Sequence, residues 1–148
     1  GVMSVANHSV GVNICFEIAI DDLNNKLVTD GAQVLISQTN NSDFGHSDET
    51  YQQAAIARLR AIEFGRTVVN DSTVGVTAVF AADGSVMASI PAFRPGAIVA
   101  DVPLSNAKTP AFFAGGYVAL GANLVGISLT AAGLAAMFRQ RRKAGAPQ

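Results

Sequence analysis

The stretch "GVNICFEIAI", residues 11–20, joins a β-branched run to a polar segment and carries the one cysteine of the 148-residue chain. Residues 2–5 and 9–14 read as two short strands around a turn at Ala6-Asn7-His8. The second strand, "SVGVNI", runs directly into Cys15. Beyond it, "DDLNNKLVTDG" (21–31) reads as a helix: Asp21 and Asp22 suit its positive N-terminal end, and Gly31 supplies the stop. A strand that passes into a helix at Cys15 is the junction a cysteine nucleophile needs. The sulfur is presented at the bend, and the backbone N–H groups that follow can meet an oxyanion. The N–H of Phe16 is the natural donor, and Glu17 is placed to orient a neighbour or hold a polar group of a substrate. By residue type alone, a lone cysteine is more often a small buried hydrophobe. The local reading therefore leaves inert and reactive cysteine both open.

Working outward, "QVLIS" (33–37) is a short apolar strand of the buried parallel type. The polar loop "QTNNSDFGHSD" follows, and Ser47 or Asp48 can cap a helix running from Glu49 to Phe64 and stopping at Gly65. On that helix Tyr51, Ala55, Leu59 and Ile62 fall on one face at helical spacing. "TVVND", "VTAVFA", "SVMASI" and "AIVADV" (97–102) are strand candidates, with Asp83-Gly84 as a hairpin turn and Pro91, Pro95 and Gly96 in the loop before the last. Strand, helix, strand, helix and then several strands predict an α/β layer structure. No internal repeat or low-complexity segment interrupts it.

Charge is unevenly divided. All eleven acidic residues precede position 102, and only six of the ten basic residues precede position 110. An acidic segment of that kind excludes nucleic acid as a partner, since phosphate binding needs a basic surface. One cysteine cannot form an internal disulfide, so cysteine usage leaves the compartment open. His8 and His46 are far apart and lack companion ligands, so no metal or cofactor is expected. The chain opens Gly-Val-Met on strand-like sequence with no signal-peptide pattern, which reads as a piece of something longer.

Residues 111–138 contain no Asp, Glu, Lys or Arg, and "RQRRK" follows at once. Their 28 residues exceed the ~20 that cross a bilayer. Asn123 is the one strongly polar side chain among them, and Ala122, Gly126 and Thr130 make a small-residue stripe suited to close helix packing. The basic cluster marks the cytoplasmic end, which would leave the preceding α/β part outside the cytoplasm. The expected organisation is a domain at 1–110, a transmembrane helix at 111–138 and a basic cytoplasmic tail at 139–148.

Four blocks occur together and in order: "ICFE" (14–17), "GAQVLISQTNNSDFG" (31–45), "QQAAIARLRAIEFGRTVVNDSTVGVTAVFAADGSV" (52–86) and "PLSNAKTP" (103–110). Together they resemble the carbon–nitrogen hydrolase (nitrilase) superfamily and, more closely, its membrane-bound branch, the apolipoprotein N-acyltransferases. The resemblance covers almost the whole chain, closing helix included. It implies an αββα sandwich, here only in part, on the outer face of the bacterial cytoplasmic membrane, followed by one C-terminal transmembrane helix. It also implies a Glu-Lys-Cys triad that takes an acyl chain from a phospholipid as a thioester and passes it to the N-terminal amine of a diacylglyceryl apolipoprotein. Cys15 matches the nucleophile and Glu17 a supporting glutamate.

The chain departs from that pattern in two places. The family's triad glutamate and lysine lie upstream of the cysteine, yet the fourteen residues before Cys15 include neither. Glu17, Glu49, Glu63, Lys26 and Lys108 stand at the wrong places to replace them. The expectation is a C-terminal part of the enzyme, inactive alone, whose partner is the missing N-terminal half. Asp43 stands where many members carry an aromatic residue beside the phenylalanine matched by Phe44, in a loop that the resemblance places at the acyl site. For Phe44 and Gly45, lipid contact and plain loop packing remain open, and Asn40 and Asn41 are expected to organise the loop through side-chain-to-backbone bonds. Arg58, Arg60, Glu63 and Arg66 are read on one long helix in a structural role, with Arg60 and Glu63 as an i,i+3 pair. A nitrilase-type amidase and a non-catalytic membrane-anchored remnant are the rival readings.

Overall fold

In the computed structural model, strands β1 (Val2–Val5) and β2 (His8–Ile14) form a hairpin whose turn residues, Ala6 and Asn7, have φ of 48° and 68°. Both residues are left-handed, the geometry that matches the twist of a two-residue hairpin. A short 3₁₀ helix (Cys15–Ala19) and α1 (Asp21–Thr29) then cross to β3 (Val34–Thr39), and α2 (Glu49–Phe64) crosses to β4 (Val68–Ser72). β5 (Thr77–Phe80) and β6 (Val86–Ile90) complete the sheet, whose order is β1-β2-β3-β4-β5-β6. The pairs β2–β3 and β3–β4 are parallel and the others antiparallel. The structure describes residues 1–144, with side chains through Met137; the basic tail read at 139–148 lies outside those described side chains.

One face of the sheet carries the core. Leu35, Val68, Ala78 and Phe80 pack there against Ile18, Leu27, Val28, Ala54, Ala57, Ala61 and Phe64. β2 comes so close to this layer that a Cβ on Gly11 would sit 2.7 Å from Leu35 Cδ2 and 2.9 Å from Ala32 Cβ. Residues 94–102 run along the opposite face, leaving a groove of about 740 Å³ lined by Ile36, Val69, Val79 and Ile90.

Three expectations are corrected, and the two cap candidates of α2 divide the task between them. α2 buries Ala54, Ala57, Ala61 and Phe64, whereas Tyr51, Ala55, Leu59 and Ile62 lie on its exposed side. Close packing of a helix on a sheet selects small side chains, so side-chain size misidentified the core face. Residues 97–102 form no strand. Asp48 is the N-cap residue but makes no side-chain bond; the Ser47 hydroxyl accepts from the Glu49 N–H at 3.4 Å. Arg66 lies beyond the helix, after Gly65 at φ 60°. It is 1% exposed and donates to the carbonyls of Ala32, Phe64 and Ala107 at 2.6, 2.7 and 2.8 Å. Burial holds its guanidinium below the usual arginine range.

Residues Gly1–Phe112 make one unit and a second begins at Phe113. Helix α3 (Pro110–Ala144) supplies the second unit from Phe113 onward, and its Pro110–Met137 stretch is, among the described residues, the one helix long and apolar enough to cross a membrane.

Candidate active site

Cys15 ends β2 and opens the 3₁₀ helix with φ 53°. A non-glycine residue in left-handed backbone persists only where its surroundings fix it, and here three groups do so. The Glu17 carboxylate reaches back to accept the Ile14 N–H at 2.8 Å, tying together the residues that flank the cysteine. Asn24 of α1 donates to the carbonyls of Glu17, Ile18 and Ile20 at 2.9, 3.1 and 2.8 Å, and its own oxygen accepts from Asn13 of β2 at 2.9 Å. From α2, Arg60 donates to the carbonyls of Ile18 at 2.8 Å and Ala19 at 2.9 Å. Arg60 also bridges Asp21 and Glu63. Burial works to lower its pKa, but the hydrogen bonds and charges of Glu63 and Asp21 outweigh it and raise the guanidinium above its ordinary value.

The Arg60–Glu63 pair expected from spacing is present, yet its larger part is to fasten the segment behind the cysteine. Sequence reasoning missed Asn13 and Asn24 altogether. The signal was an asparagine one turn inside a helix, a poor helix former that is retained where its amide meets carbonyls.

Cys15 is half-buried and lines a cavity of about 330 Å³ with Ile14, Gln38, Thr39, Asn40, Asp71, Ser72 and Thr73. This cavity lies at the carboxyl ends of the three parallel strands, the usual place for ligands in α/β sheets. Of the expected loop residues, Asn40 borders it, accepting from the Ser42 N–H at 3.2 Å and the Thr73 hydroxyl at 2.9 Å. Asn41 is 2% exposed. It accepts from the Thr39 and Ser72 hydroxyls and donates to Gln53 at 2.6 Å, so its partners are side chains, not the expected backbone groups. Phe44 and the exposed Phe16 line a second cavity of about 260 Å³ with Ile18, Gln53 and Ile56. Asp43 and Gly45 are exposed and line neither cavity. His8 is exposed, and His46 stacks on Phe93 with ring centroids 4.1 Å apart.

This architecture, a mixed sheet with helices and a cleft at its parallel strand ends, is the nitrilase-superfamily fold. It superposes on an amidase from Nesterenkonia sp. with TM-score 0.54 at 19% identity, covering 65% of this chain and 38% of that one. It superposes on a branch 10 member from Saccharomyces cerevisiae with TM-score 0.53 at 18% identity, covering 64% of this chain and 38% of that one. One solved form of the Nesterenkonia amidase carries acrylamide added at that enzyme's active site cysteine.

A carbon–nitrogen hydrolase family model matches residues 2–110, and the chain belongs to that family. It is similar to the apolipoprotein N-acyltransferase of Shewanella oneidensis, 36% identical over 107 residues, covering 72% of this chain and 21% of the relative. That of Ralstonia nicotianae is 36% identical over 147 residues, covering 97% and 27%. That of Mycolicibacterium smegmatis is 35% identical over 111 residues, covering 75% and 18%. The chain thus spans between 18 and 27% of the length of these relatives.

Proposed function

We propose that this chain is the cysteine-bearing C-terminal part of a lipoprotein N-acyltransferase. In this reading the Cys15 thiolate attacks an acyl ester carbonyl of a phospholipid. The C–S bond forms, the C–O bond breaks, and the lysophospholipid oxygen leaves with a proton. The α-amine of a diacylglyceryl apolipoprotein then attacks the thioester; the amide bond forms, the thiolate leaves, and the amine gives a proton to a general base. The Phe16 N–H serves the oxyanion of both steps, and Glu17 holds the turn that aims it. The general base and a stabilising lysine come from residues outside this chain, so the chain alone is inactive. Residues 111–138 cross the cytoplasmic membrane, with 1–110 outside and the tail at 139–148 inside.

The observation that carries this reading is the position of Cys15, in left-handed backbone at a parallel strand end and open to a cavity. Similarity over 147 residues to a named acyltransferase supports it. The test is transfer of labelled fatty acyl from phospholipid to the gene product that carries this chain together with whatever its reading frame places before Gly1. A hydroxylamine-labile label on Cys15, lost in Cys15→Ala, is expected. No label in that whole product removes the acyltransferase reading, and release of ammonia from simple amides would favour the amidase.

A further inference from the structure

We propose that Asp71 is the binding residue for a primary ammonium group at this site, an inference that rests on the acyltransferase reading for its setting. Ile14 of β2 pairs in register with Gln38 of β3, and Gln38 with Asp71 of β4. These three side chains therefore share one face of the sheet, and Cys15 follows the first of them. Asp71 is exposed and lines the same cavity as Cys15, where it is the one charged side chain; it also borders the larger groove, whose lining includes Arg94. The backbone carbonyl of Asp71 accepts from the Thr39 hydroxyl at 3.2 Å. Among the described residues, its carboxylate has no hydrogen-bond or ion-pair partner.

The charge is misplaced for the first half of the reaction. A carboxylate in this cavity repels a lipid phosphate. It suits a cation, and among the reacting groups the cation is a primary ammonium: an α-amino group has a pKa of about 7.7–8.0 and is mostly protonated at neutral pH. Two sources share that chemistry, the N-terminus of the acceptor and the headgroup of an ethanolamine phospholipid.

Binding is read first, without catalysis. The gene product in lipid nanodiscs is titrated with a fluorescent S-diacylglyceryl-cysteinyl peptide bearing a free or an acetylated α-amine. The proposal expects the free amine to bind about tenfold tighter, as a charge-assisted hydrogen bond warrants. That preference should weaken with salt, disappear in Asp71→Asn and return in part in Asp71→Glu.

A second arm measures thioester formation from ethanolamine- and glycerol-headgroup donors. Selective loss with the ethanolamine donor in Asp71→Asn assigns the headgroup as the source. Slower aminolysis with unchanged thioester formation assigns the acceptor, with the acceptor KM raised. Two results overturn the proposal: an amine preference and donor selectivity that both survive Asp71→Asn, or thioester formation that falls equally with both donors. Absence of any thioester in the unmutated protein defeats the acyltransferase reading, while the peptide titration still decides for or against Asp71.

Discussion

At the scale of single residues, the turn at Cys15 is held against its own preference. Left-handed backbone costs an L-residue about 1–2 kcal/mol, and glycine escapes that cost while losing more chain entropy. Cys15→Gly is therefore expected to raise the stability of the full chain in detergent by about 0.5–1 kcal/mol in urea titration, and to abolish acyl labelling. Cys15→Ala is expected to lose the label without the gain. Arg60 bears the opposite burden. Its truncation takes that partner from the Ala19 carbonyl and the Glu63 carboxylate, and leaves the Ile18 carbonyl to Asn24 alone. Arg60→Ala is expected to cost about 3 kcal/mol in the same titration, as for other buried charged groups removed from their partners.

At the scale of elements, the β5–β6 hairpin turns on Asp83, whose carboxylate accepts the Ser85 N–H at 2.8 Å. Bonds from the Ser85 hydroxyl and its N–H hold that carboxyl below the usual aspartate range. A lowered folded-state pKa contributes stability above the unfolded value, and that contribution is lost as pH falls through the folded one. Exchange protection of the Gly84 and Ser85 amides is therefore expected to drop in acid, and Asp83→Asn to flatten that dependence. On α2, Leu59 is 63% exposed, so Leu59→Gln is expected to change stability by less than about 0.5 kcal/mol, where a core leucine would lose several times more.

Strand and helix order was legible because hydrophobic runs, Gly31, Gly65 and Asp83-Gly84 punctuate the sequence. The buried face of α2 was not, because alanines carry the contact there and the larger side chains mislead. "AIVADV" has strand composition, but among the described residues its backbone lies beside the sheet without pairing. At the candidate site, the bend at Cys15 could be read from the strand-to-helix junction. The tethers from Asn24 and Arg60 and the register that brings Asp71 to the cavity lined by Cys15 are long-range pairings that no local pattern encodes.

At the scale of the whole molecule, α3 gives the membrane reading its test. Val125 stands in the uncharged span, and an arginine at a helix centre costs about 2.5–3.5 kcal/mol on insertion. Val125→Arg is expected to reduce the share of protein that resists alkaline extraction. The sheet has a consequence of a different kind. Among the described residues each of its six strands is hydrogen-bonded only to strands adjacent in the chain. A chain leaving the ribosome N-terminus first therefore never waits for a later strand to complete an earlier one: each new strand emerges onto a template already in place. At about 5–20 residues per second, the sheet can widen one strand at a time during synthesis, and protease resistance of stalled nascent chains should rise in steps, not all at once on release.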